Sequence, residues 1–132
     1  MTAAAANYES GSVNTYIAGG TIAAGSCLKY DSTEGQVVVT TAVTEIVMGV
    51  ALDTVASGQP VQVQTRGVAK VLTSGICTVG VEVVPGASGK CVTNASAGAT
   101  AVSFGVAEQT TTADGTMLKV RLIPTLRGPA NT

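Results

Sequence analysis

Four short blocks of this chain occur twice, in the same order and at nearly constant spacing. Ala24-Gly25-Ser26-Cys27-Leu28 returns as Val79-Gly80-Val81-Glu82-Val83, 55 residues on. Gly35-Gln36-Val37-Val38 returns as Gly89-Lys90-Cys91-Val92 at a spacing of 54, and Gly49-Val50-Ala51-Leu52 as Gly105-Val106-Ala107-Glu108 at 56. Gly58-Gln59-Pro60-Val61-Gln62-Val63-Gln64 matches Gly115-Thr116-Met117-Leu118-Lys119-Val120-Arg121 at 57, apolar on apolar and polar on polar. Such order and spacing imply an internal duplication. Each copy holds about four short strands, too few to bury much alone. The expectation is two β-units packed on each other rather than a solenoid.

The stretch from Gly58 to Leu72 gives the local period. Val61, Val63, Thr65, Gly67, Ala69 and Val71 alternate with Gln62, Gln64, Arg66 and Lys70, broken only by Val68. A period of two marks a strand with one face in a core and one face wet. At about 3.3 Å per residue such a strand would span roughly 36 Å, long for a small domain, so a bend is expected near Gly67. Ser26 to Tyr30 and Gln36 to Thr41 read as a hairpin around the Asp31-Ser32-Thr33-Glu34-Gly35 turn. Ile46 to Leu52 reads as a strand buried on both faces, and Asp53 can cap one helical turn. The second unit echoes this order: Ile76 to Val84, a turn over 85–89, Lys90 to Thr93, then Ala101 to Glu108 with Phe104 as a core anchor. Met117 to Ile123 closes it, and Pro124 stops that last strand.

No strong helix emerges, so the fold class is all-β. Two pseudo-repeated barrel-like or sandwich-like units, about 21–73 and about 76–124, pack as one compact domain with an extended N-terminal arm over 1–20 and a tail over 125–132. Residues 1–20 show no sustained period. They read as an arm, either mobile or ordered on a partner, with Tyr8, Tyr16 and Ile17 as apolar anchors. The competing reading is an N-terminal strand of the chain's own sheet.

One Phe, three Tyr and no Trp leave the core to small aliphatic side chains. A thin aliphatic core favours oligomerisation, since partner subunits bury what the chain cannot. A net charge of −1 argues against nucleic acid as a main partner, which would need a basic face. It also argues against a polybasic membrane anchor. Charged residues make up only 11% of the chain, which suits flat contacts with neighbours. The start, MTAAAANYES, has neither the basic residues nor the apolar segment of a secretion signal, and the apolar run from Ile46 to Leu52 is far too short for a membrane span.

Catalytic chemistry finds little footing. There is no histidine, the commonest general base and metal ligand. Asp31, Glu34, Asp53 and Asp114 lie in turn-like settings without calcium-ligand spacing. Cys27, Cys77 and Cys91 fit neither a disulfide framework nor a zinc site and read as small buried residues in a reducing compartment. Gly86-Ala87-Ser88-Gly89-Lys90-Cys91 has the wrong glycine spacing for a phosphate loop and no Ser or Thr after the lysine. Asn94-Ala95-Ser96 fits a glycosylation pattern without a secretory context. The sequence therefore implies no enzyme, no cofactor and no metal.

At the repeated blocks the chain resembles the capsid cement, or head decoration, proteins of tailed bacteriophages. Gly49-Val50-Ala51-Leu52, Ala56-Ser57-Gly58-Gln59-Pro60-Val61-Gln62-Val63 and Arg66-Gly67-Val68 carry the resemblance in the first half. Gly89-Lys90-Cys91-Val92-Thr93, Gly105-Val106-Ala107 and Lys119-Val120-Arg121-Leu122 carry it in the second. It runs from about Gly20 to Ile123. Val83-Val84-Pro85 departs from it, where many members have an aromatic residue. The resemblance implies a small, often trimeric β-protein on the outside of an expanded phage head, with the major capsid protein and its own copies as partners. It implies a virion protein made in the host cytoplasm. On that footing Asn7, Tyr8, Tyr16 and Ile17 are the candidate capsid-binding arm. The wet-face residues Gln62, Gln64, Arg66, Lys119 and Arg121 are the candidate subunit contacts. The alternative is another assembly subunit of a phage or bacterium, from a tail, spike or surface array.

Overall fold

The computed structural model describes residues 12–93 and 101–123. Five strands close a barrel in the order β1-β3-β2-β4-β5: β1 (Val13–Ala18), β2 (Cys27–Tyr30), β3 (Gln36–Val39), β4 (Gly49–Ala51) and β5 (Pro60–Gln64). Five more form a second sheet in the order β6-β10-β9-β7-β8: β6 (Gly67–Leu72), β7 (Glu82–Pro85), β8 (Cys91–Thr93), β9 (Gly105–Ala107) and β10 (Met117–Leu122). A short 3₁₀ turn, Ala87–Gly89, joins β7 to β8.

The two units are the same unit twice, strand for strand and pair for pair. Val13 faces Gln64 across β1 and β5; 55 and 57 residues on, Val68 faces Arg121 across β6 and β10. Leu28 faces Gly49, and Val83 faces Gly105. The barrel closes where β1 runs parallel to β3, with Ala18 beside Val37. The equivalent seam of the second unit keeps one parallel bridge, Thr73 to Cys91. Even the antiparallel bridge of Ile22 with Val55 recurs, as Cys77 with Thr111.

This places the unit boundary elsewhere than the sequence blocks suggest. Each unit has five strands, and the first runs 13–64 and the second 67–122. The first strand of each copy is the piece the blocks miss. In the second copy it is β6, which the alternation joins to β5 as one long strand. Gly67, at φ +87°, is where the chain leaves the barrel and enters the other sheet, so the expected bend is a change of sheet. In the first copy it is β1, inside the stretch read as an arm. Its period is concealed because Val13 and Ile17 point outward, 38% and 37% exposed, while Asn14 sits on the half-buried side. Tyr16 and Ile17 are therefore barrel residues, paired with Val61 and Pro60 of β5. Asn7, Tyr8 and the tail over 125–132 lie outside the described residues.

Two further strands are shorter than expected. Only Gly49–Ala51 of the apolar run 46–52 is strand, and Ile46 and Leu52 are exposed. Of the run Ile76 to Val84 only the part from Glu82 is strand, which extends one residue past it to Pro85, and Ile76 and Val79 face outward. Asp53 caps no helix; its carboxylate accepts the Gln62 amide at 3.3 Å.

Two cores follow from this layout. Ala18, Ile22, Leu28, Val37, Val61 and Val63 fill the barrel. The second core gathers Val71, Val83, Phe104, Leu118, Val120 and Leu122 and draws in two residues of the first unit, Cys27 and Val50. Those two are cross-strand neighbours on β2 and β4. They lie on the alternate positions to Leu28 and Ala51, which point into the barrel. The second unit thus covers one outer face of the first. Hydrogen bonds fasten the junction: the Leu72 amide donates to the Gly25 carbonyl at 2.8 Å, and the Gly89 amide to the Thr40 carbonyl at 3.0 Å. The fully buried Thr40 hydroxyl donates to the Gly86 carbonyl at 3.0 Å, so its polar atom is satisfied.

Candidate assembly surface

With both cores filled by aliphatic side chains, the polar residues stand on the outer faces of the strands. On β10 the alternation is strict: Leu118, Val120 and Leu122 point inward, and Met117, Lys119 and Arg121 point out. On β5, Gln62 is exposed, while Gln64 is partly covered. The repeat makes Gln62 the equivalent of Lys119 and Gln64 the equivalent of Arg121, both 57 residues apart. Four of the five wet-face residues read from the sequence are thus one structural position pair, occurring once on each unit, while Arg66 lies at the turn between them.

Their surroundings differ. Gln64 Nε2 donates to the carbonyl oxygens of Arg66 at 2.8 Å and Val68 at 3.1 Å, which ties down the turn between the units. Arg121 Nε donates to Glu108 Oε2 at 2.9 Å. Lys119 lies directly opposite Lys70 across β10 and β6, and among the described residues neither makes an ion pair. Arg66 is exposed at the turn. Beside this face a groove of about 290 Å³ runs between the units, with Leu52, Gln64, Val68, Lys70 and Met117 in its walls. A smaller apolar pocket of about 60 Å³ lies under Ile46 and Ile123, floored by Phe104.

Several other polar groups are engaged structurally. Lys29 meets Glu45 at 2.5 Å and Lys90 meets Asp114 at 3.2 Å. Burial pushes the Glu45 carboxyl up, but the Lys29 ammonium and the donors of Thr41 and Ala42 outweigh it and hold the group at about 2. Tyr16 and Tyr30 meet edge to face at 6.2 Å, and burial followed by the hydrogen bond to Tyr30 raises the Tyr16 hydroxyl. All three cysteines are free and fully buried. Burial raises the Cys27 thiol, and the hydrogen bond that Cys91 donates to Cys77, together with burial, raises Cys91. Among the described residues, no group of three or more His, Cys, Asp or Glu side chains could hold a metal ion, and no helix is long and apolar enough to cross a membrane. Neither the groove nor the pocket gathers an acid, a base and a nucleophile of the kind a catalytic site combines.

The described residues form an all-β body with two filled cores and polar side chains on outer strand faces. The phage cement protein family matches residues 8–122, and the chain belongs to that family. It is a structural, capsid-binding component of a phage virion. The match spans both units of the repeat. The fold is similar to that of the N-terminal base of the head fiber protein gp8.5 of bacteriophage phi29, at a TM-score of 0.67 and 21% identity, covering 84% of this chain and 92% of that one. No curated protein matches the chain.

Proposed function

We propose that this chain is a cement subunit that binds the outer surface of a phage head through the major capsid protein, reinforces the expanded shell, and performs no catalysis. The observation that carries this is the family match over both units, since it makes the whole double-unit body the cement. The subunits act as a homotrimer, in which Gln62, Gln64, Arg66, Lys119 and Arg121 belong to the contacts between copies. The thin aliphatic cores support this, because one copy has little apolar area of its own to bury. Asn7 and Tyr8, with the rest of the segment before β1, serve the capsid contact. Synthesis takes place in the host cytoplasm, where the three thiols stay reduced.

Many identical, modest contacts on one shell add through multivalency, so no single contact has to be strong. A net charge of −1 keeps repulsion among crowded copies small. The test is co-sedimentation of the purified protein with expanded heads that lack it, followed by heating. Saturable binding and a higher temperature of head rupture are expected. A subunit of a tail, spike or surface array would share the fold and leave the heads bare.

A further inference from the structure

Among the described residues six side chains are cationic, and they divide evenly. Lys29, Lys90 and Arg121 are in ion pairs, while Arg66, Lys70 and Lys119 are in none. The three unpaired ones are not scattered. Lys70 and Lys119 are directly opposite each other on adjacent strands, and Arg66 stands at the turn that leads into the same strand. Like charges directly opposite on a sheet destabilise it. Among the described residues no carboxylate pairs with them. Next to them Leu52, Val68 and Met117 leave apolar surface in the groove wall, 40%, 43% and 42% exposed. A cationic face flanked by apolar surface fits a partner that brings carboxylates on a small projecting element.

The chain carries such an element on its other unit. In the β2–β3 turn Glu34 is exposed and Asp31 half-buried, and neither is in an ion pair. Asp31 accepts only the Ser32 amide, at 2.8 Å. The other described carboxylates have work inside the chain: Glu45, Glu108 and Asp114 in ion pairs, Asp53 on the Gln62 amide, Glu82 on the Ser103 hydroxyl.

We propose that the face of β6 and β10 centred on Lys70 and Lys119 receives the Asp31–Glu34 turn of a second copy of this chain. The donor surface is on one unit and the acceptor on the other, so the contact is head-to-tail. Head-to-tail contacts close into rings when the rotation allows it, whereas a two-fold dimer that apposed the two β6–β10 faces would set cation against cation. The proposal rests on the oligomeric cement reading above and names the contact that builds it.

The test is the solution mass by light scattering, at low and at high salt, of wild type and three variants. The variants are K70E/K119E, E34K, and a full exchange with D31K/E34K added to K70E/K119E. E34K leaves the Asp31 cap in place, and circular dichroism checks that each variant folds. Wild type is expected to associate, with salt weakening it. K70E/K119E and E34K should each weaken association at least tenfold, and the full exchange should restore it. Unchanged association of folded K70E/K119E, or a monomeric wild type, overturns the proposal. Loss without restoration by the exchange overturns the Asp31–Glu34 turn as occupant. Head binding is measured separately by co-sedimentation: a ring that binds no heads would sink the cement function and leave this contact standing.

Discussion

A Cβ placed on Gly105 would come within 2.5 Å of the Arg121 carbonyl oxygen, and one on Gly49 within 2.7 Å of the Gln64 carbonyl oxygen. These are the same position in the two units, where β9 crosses β10 and β4 crosses β5. Beside the Val63 and Val120 side chains, each clash involves a backbone oxygen, which cannot swing aside. Gly49→Ala and Gly105→Ala should each cost about 2–3 kcal/mol in chemical denaturation, a size typical of overpacking. Substituting Gly20, where a Cβ meets nothing within 4 Å, should cost far less. Glu45 gives a pH signature. Its folded pKa is held at about 2, below its ordinary value of 4.5, so its contribution is present above pH 4.5 and is lost as pH falls toward 2. With the pair partly exposed, that contribution is about 1 kcal/mol. Urea titrations of wild type should lose about that much between pH 5 and pH 2.5, and Glu45→Gln should flatten the change.

The strands show which parts of the chain announce themselves. Where one face is buried and the other wet, as on β5 and β10, the alternation is legible residue by residue. On β1 it is not, because Val13 and Ile17 are on the outside while Asn14 is half-buried; the strand is held by its pairing to β5 and β3 rather than by an apolar stripe. Apolar runs mislead in the other direction. Ile46, Leu52, Ile76 and Val79 look like strand interior and are exposed, since a run of apolar residues does not say which of them the fold turns outward. The wet-face residues were legible as polar positions, but the facing of Lys119 with Lys70 depends on a strand register that no local pattern states. Truncation separates the arm from the strand. Deleting residues 1–11 should leave the melting temperature within a few degrees of wild type, because β1 and its pairs to β5 remain. Deleting 1–20 removes β1, opens the barrel and should abolish cooperative unfolding. The junction between units can be probed at the buried Thr40: Thr40→Val orphans the Gly86 carbonyl and should cost about 1–3 kcal/mol in the same assay.

As a whole, the molecule is one five-stranded unit used twice, with Cys27 and Val50 of the first copy completing the core of the second. That dependence predicts a single unfolding transition for both units, seen as coincident denaturation curves from near-ultraviolet and far-ultraviolet circular dichroism. The doubled unit leaves its outer faces for contacts with neighbours, which is what a cement protein needs. The most direct measurement is the stability of expanded heads with and without the protein, read as the temperature at which they release DNA. Saturating addition should raise that temperature, and removal of residues 1–11 should reduce the binding while leaving the protein folded. Heads that neither bind the protein nor change their rupture temperature would contradict its role as cement.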